Sequence, residues 1–142
     1  MIKIANSQVL EKRGNDKWGS GEWGAKRGSR RHMGVDYKIL PGDTVLSLTE
    51  GVVTKLGYPY ADDLSYRYVE VEDANEYKLR YFYILPSVKV GQMVAEGEPL
   101  GIAQSLDRRY EGITEHIHFE VKNDIGELIN PEKYIKDHYI TV

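Results

Sequence analysis

From residue 43 onward the chain is a succession of short apolar runs separated by turn residues. DTVLSL, GVVTKLGY, YRYVEVED, LRYFYIL, PLGIAQ and HIHFEV are rich in β-branched and aromatic residues and alternate frequently with polar ones. That is the period-2 pattern of half-buried strands. In YVEVED the alternation puts Tyr68, Glu70 and Glu72 on one face and Val69 and Val71 on the other. DANE, at 73–76, supplies the turn of a hairpin. Residues 14–34 are dense in glycine and basic side chains, which argues for a long ordered loop anchored by Trp18 and Trp23. Lys26, Arg27, Arg30 and Arg31 in that loop read most simply as solvated charges. Only PEKYIKDHY, with Pro131 near its first turn, predicts a short helix. The expected fold class is therefore all-β, with folded antiparallel sheets, a long N-terminal loop and a short C-terminal helix.

One internal echo refines this. PGDTVLSLTEGVV (41–53) and VGQMVAEGEPLGI (90–102) share a G-x-x-V core followed by a later glycine. Two similar hairpin units separated by a meander suggest pseudo-symmetry, as in the barrel-sandwich of lipoyl and biotinyl carrier domains. Such carriers need a modifiable lysine at a hairpin tip beside a residue such as methionine. The sequence has no Met-Lys or Lys-Met pair, so a carrier role finds no support in it.

Composition narrows the possible chemistry. The 142 residues favour a single domain, 1–142, and an apolar share of 41% is enough for a core. A net charge of −3 gives no global reason to bind nucleic acid or an acidic membrane. Cysteine is absent, so a metal site must be built from His, Asp and Glu. No stretch approaches the roughly 20 apolar residues of a membrane helix, and the N-terminus carries no secretory signal pattern.

The histidines are concentrated. On a strand, HIHFEV places His116, His118 and Glu120 on one face and Ile117, Phe119 and Val121 on the other. His32 stands four residues before Asp36 in RHMGVDY, where loop enters strand and the two side chains can come together. These stretches use three of the four histidines. His138, in the terminal KDHYITV, reads as solvated. Two imidazoles and a carboxylate suit zinc, and three protein ligands leave a position for water. One histidine of the H-x-H pair would then be spare to exchange protons. Alternation alone cannot say which.

The ordered motifs WGAKRG, HMGVD, PGDTVLSLTEGVV, YFYI, VKVGQMV, HIHFEV and INP span about Trp23 to Tyr134. In this arrangement the chain resembles the lysostaphin-type (LytM-like) zinc metallopeptidases, which cut peptide bonds in bacterial cell-wall peptidoglycan. The resemblance implies a core of about 23–134 and one Zn2+ per chain, with His32, Asp36 and His118 as ligands. It makes His116 the catalytic histidine of the pair. Glu120, on the same face, would orient a ligand by a hydrogen bond from behind it or stand as a surface carboxylate.

The chain departs from the family pattern at Tyr83, which occupies the place of a second catalytic histidine in the Tyr-x-His-Leu stretch. A phenol of pKa near 10 is a poor base at neutral pH, yet it can donate a hydrogen bond to an oxyanion. Two readings follow: an endopeptidase in which Tyr83 assists His116, or a catalytically impaired zinc-containing binding or regulatory module. The loop QSLDRRYEGITE (104–115) would wall the cleft, with Tyr110, Arg108 and Arg109 as candidates for touching a peptidoglycan stem or cross-bridge peptide. Tyr58 and Tyr60 would line the other side. The implied setting is the bacterial cell wall, for a bacteriophage lysis or virion component or a protein released by a non-classical route.

Overall fold

The computed structural model describes residues 2–4, 8–28 and 30–138. Its N-terminal strands are β1 (Ile2–Ile4), β2 (Gln8–Leu10), β3 (Asn15–Asp16), β4 (Gly19–Ser20), β5 (Lys26–Arg27) and β6 (Arg30–Arg31). Next come β7 (Val35–Lys38), β8 (Thr44–Leu46), β9 (Gly51–Gly57), β10 (Tyr68–Glu72) and β11 (Lys78–Phe82). The chain continues through β12 (Ile84–Pro86), β13 (Met93–Val94), β14 (Pro99–Ala103), β15 (His116–Lys122), β16 (Leu128–Ile129) and helix α1 (Pro131–His138). The main sheet runs β13-β9-β10-β11-β15-β16, with β7 also paired to β15, and a second sheet runs β12-β14-β8. All of these pairings are antiparallel. Neither sheet closes on itself, so the likeness to a barrel-sandwich stops at the folded-over sheets.

The period-2 pattern sets what is buried. Val69 and Val71 from β10, Leu79 and Tyr81 from β11, and Ile117, Phe119 and Val121 from β15 point into one core. Val45 from β8, Ile84 from β12 and Leu100 from β14 meet them there. Losing an aromatic so deeply buried typically costs about 3–5 kcal/mol. The opposite face of β10 is covered rather than open to water. Glu70 is buried, taking Arg80 Nε at 2.6 Å and the Thr54 hydroxyl at 2.9 Å, while Tyr68 stacks on Phe82.

The two echoed hairpin units close each other. Gly42 donates its N–H to the Ala103 carbonyl, and Ala103 donates to Asp43. In the counterpart, Gly91 donates to Val53 and Val53 donates to Gln92. Each turn is thus completed by the strand that ends the other unit. Gly42 and Gly91 have φ of 88° and 91°, a conformation costly for residues with a Cβ.

The glycine-rich stretch differs from the loop expected of it. It contains two miniature antiparallel ladders, β3–β4 and β5–β6, of two residues per strand. Ladders that short are too brief to write an alternating pattern into the sequence. Trp23 packs against the core, whereas Trp18 remains 43% exposed and donates its indole N–H to the Glu111 carbonyl. At the other end, Asn130 caps α1 by accepting the Glu132 N–H, and Tyr134 and Ile135 enter the core. The Tyr139 end of the expected helix lies outside the described residues. Among the described residues, no helix is long and apolar enough to cross a membrane.

Candidate metal centre

Strand pairing builds the site. In the β7–β15 ladder Asp36 sits directly opposite His118, so both side chains leave the sheet on the same face. His32 precedes β7 and is pinned by backbone bonds, His32 N–H to Ala25 and Gly24 N–H to His32. Gly34, between them, must lack a side chain. A Cβ there would lie 2.6 Å from both His118 Cε1 and the Phe119 carbonyl oxygen.

Three atoms then converge. His32 Nε2 lies 2.9 Å from His118 Nδ1 and 3.1 Å from Asp36 Oδ1, and His118 Nδ1 lies 2.9 Å from the same oxygen. The far ring nitrogens define what these atoms can offer. His32 Nδ1 is 2.9 Å from the Glu22 carbonyl, which can only accept, so the proton sits on Nδ1. His118 Nε2 is likewise 2.9 Å from Glu120 Oε1. With both outer nitrogens protonated, two imidazole lone pairs and a carboxylate oxygen face one another across about 3 Å. That arrangement is repulsive unless a metal ion, or in its place an added proton on His118, sits among them. The donor set, two nitrogens and an oxygen with hydrogen-bonded outer partners, fits zinc.

Electrostatics agree with a site built for positive charge. Burial works against ionising Asp36, but the imidazoles of His118 and His32 hold its carboxyl well below the usual range. Burial likewise disfavours charge on His118, yet the Asp36 and Glu120 carboxylates raise that imidazole to about 9. His116 behaves differently. It donates Nδ1–H to the Thr114 carbonyl at 2.6 Å, which leaves the Nε2 lone pair free, 3.4 Å from Asp36 Oδ2. Burial lowers its pKa despite the neighbouring Asp36 carboxylate, so it is a neutral base at pH 7.

Opposite stands a wall of phenols. Tyr83 has a φ of 73°, unusual for a residue with a side chain, and its ring meets His116 edge-on. Its hydroxyl shares a 2.9 Å hydrogen bond with Tyr60, which shares another of 2.8 Å with Tyr110. Both walls face a cleft of about 460 Å³, with Trp18, Arg27 and Arg30 among its lining. Arg27 and Arg30 thus stand at the rim of the cleft, Arg30 still exposed to solvent.

The remaining loop residues divide. Tyr110 lines the cleft. Arg109 lies behind Tyr60, its guanidinium 3.7 Å from the ring centroid, and Arg108 turns to Asp63 and Ser65. Neither arginine is among the lining residues, nor is Tyr58, which packs under Arg67. Sequence reasoning missed Arg13, 4% exposed and bonded to Asp36 Oδ2 at 3.0 Å. In EKRGNDK it looks like any solvated charge. The Glu22 and Thr114 carbonyls also escaped notice, because a backbone acceptor leaves no mark on residue identity.

The model of peptidase family M23 matches residues 30–131, most of the chain and all of the convergent side chains. The chain belongs to peptidase family M23. Among relatives of this M23 chain, leukocyte cell-derived chemotaxin-2 of Bos taurus is 31% identical over 119 residues, covering 84% of this chain and 78% of that protein. The solution structure of lysostaphin, the antimicrobial peptidase of Staphylococcus simulans, superposes with a TM-score of 0.69 at 20% identity, which speaks for the fold. It covers 94% of this chain, which spans only 53% of the lysostaphin chain. A zinc-containing peptidase from Vibrio cholerae is 27% identical with a TM-score of 0.60, over 86% of this M23 chain and 39% of its own.

Proposed function

We propose that the protein is a zinc-dependent endopeptidase that hydrolyses peptide bonds of bacterial cell-wall peptidoglycan. One observation carries the reading: three lone pairs from His32, Asp36 and His118 converge while the free nitrogen of His116 faces the same space. Zinc held there would polarise the scissile carbonyl and acidify water. The chain's own groups manage the protons. His116 Nε2 takes a proton from the water that attacks the carbonyl carbon, then delivers it to the amine nitrogen as the C–N bond breaks. Glu22 and Glu120 fix the tautomers of His32 and His118, and Thr114 fixes that of His116. The Tyr83 hydroxyl, released from Tyr60, donates to the oxyanion. Tyr110, with Trp18 beside it, supports the substrate peptide in the cleft. The proposed place of action is the cell wall, for a phage lysis or virion component or a protein released by a non-classical route.

The test is digestion of purified peptidoglycan by zinc-loaded protein, with and without chelator, with fragments identified by mass. Release should be abolished by chelator and fall about 100-fold or more in His116→Ala, which keeps the three ligands. An undiminished His116→Ala protein overturns the mechanism. A second reading rests on the phenol wall: Tyr83 is tied to Tyr60, and a 31% identical relative is named a chemotaxin. As a binding module the protein would hold zinc and release nothing.

A further inference from the structure

The side-chain layer behind the centre comes from a segment that precedes residues 30–131, the span matched by the family model. Arg13 is buried there and donates Nη1–H to Asp36 Oδ2 at 3.0 Å. Its other face forms a two-pronged pair with Asp16, Nη2 to Oδ1 at 2.6 Å and Nε to Oδ2 at 3.0 Å. Asp16 Oδ2 also accepts the Thr114 N–H at 2.8 Å. The carbonyl of that same Thr114 takes the His116 Nδ1 proton. An unbroken chain of hydrogen bonds therefore runs from the carboxylate of Asp36 through Arg13, Asp16 and Thr114 to His116. The backbone repeats the attachment, since Arg13 N–H donates to the Asp36 carbonyl at 2.8 Å.

This division of Asp36 has a chemical meaning. One oxygen, Oδ1, faces the two imidazoles, and the other, 3.4 Å from His116 Nε2, is held by a guanidinium whose two remaining donor edges are bound by Asp16. We propose that Arg13 and Asp16 are positioning residues: they restrict Asp36 to one coordinating oxygen and align His116 through the same network. The inference rests on the zinc reading of the site. The arrangement requires a planar, forked cation, because a single ammonium cannot serve Asp36 and both Asp16 oxygens together. Without Arg13, Asp36 is free to rotate and offer both oxygens to the metal.

The experiment compares the parent, Arg13→Gln and Arg13→Lys for zinc affinity, measured by competition with a chromophoric chelator. Visible spectra of the cobalt-substituted forms are recorded alongside, with melting of the metal-free proteins as the control for folding. Arg13→Gln should weaken zinc binding by about 10- to 100-fold, the usual effect of losing a partner behind a metal ligand. Its cobalt bands should weaken as the second Asp36 oxygen joins the coordination. Arg13→Lys should recover part of the affinity but not the parent spectrum. Parent-like affinity and spectrum in a folded Arg13→Gln protein overturn the inference. Should that variant not fold, the same parent-like result in Arg13→Lys overturns it. A parent that takes up no zinc overturns the metal reading, and this inference with it.

Discussion

The two walls of the cleft are both made of side chains that donate and accept hydrogen bonds, yet they are organised in opposite ways. On the histidine wall, the outward nitrogens of His32, His116 and His118 are spent on Glu22, Thr114 and Glu120, leaving three lone pairs turned inward. On the phenol wall, the hydroxyls of Tyr83, Tyr60 and Tyr110 are linked to one another by two hydrogen bonds. The first wall is prepared for a cation and a proton before any ligand arrives. The second wall has a single O–H to spare beyond those two bonds, and must break one of them to offer more. Preorganisation therefore resides almost wholly on one side.

The sharpest way to break the contrast is to damage the histidine wall at its tightest point. Gly34→Ala places a methyl group 2.6 Å from His118 Cε1 and from a backbone oxygen, so β7 and β15 must separate. Expected are a loss of about 1–3 kcal/mol in denaturant unfolding and no stoichiometric zinc by mass spectrometry under native conditions. Parental zinc content in the Gly34→Ala protein would show the wall to be more yielding than its geometry.

The phenol wall gives the next largest effect. Tyr83→His puts an imidazole where the lysostaphin-type pattern implies one, and should raise peptidoglycan release if the protein is an endopeptidase. Tyr83→Phe should lower that release by roughly 100-fold through loss of one oxyanion donor, with zinc content unchanged. If the two variants behave alike, Tyr83 only packs.

The smallest effect concerns alkali. Burial, together with the neighbouring phenols, raises Tyr60 above the ordinary phenol value, and burial does the same to Tyr83 despite its bond to Tyr60. A phenol whose folded pKa is raised stabilises the fold fully below the unfolded value of about 10. That contribution is lost as the pH climbs from there toward the folded value. The parent's melting temperature should therefore fall more steeply above about pH 10 than that of Tyr60→Phe, while the two curves run parallel at neutral pH. Parallel curves throughout would mean that these hydroxyls are open to water.

What could be read from the sequence follows the same divide. The strands β8 to β11, β14 and β15 lay in alternating patterns, and the candidate ligands lay in HMGVD and HIHFEV, because strand periodicity and metal chemistry act through residue type. The small ladders β3–β4 and β5–β6 were hidden because two-residue strands have no period. Arg13 was hidden for another reason. Its role depends on the chain folding back across Asp36, and an arginine among EKRGNDK carries no sign of that return. The tyrosine chain was legible only in part: Tyr83, Tyr110 and Tyr60 were each singled out separately, and nothing local tells that Tyr60 joins the other two hydroxyls.

The reciprocal closure of the hairpin units bears on how the chain is made. Gly42 and Asp43 wait for Ala103, and Gly91 and Gln92 depend on Val53. As the chain leaves the ribosome, the first unit emerges with its turn half-bonded and stays so until the meander and the second unit have followed. Neither hairpin is a self-sufficient seed. Such distant pairing makes for slow, late and concerted folding, so the candidate ligands of HMGVD are synthesised long before the sheet that aims them exists.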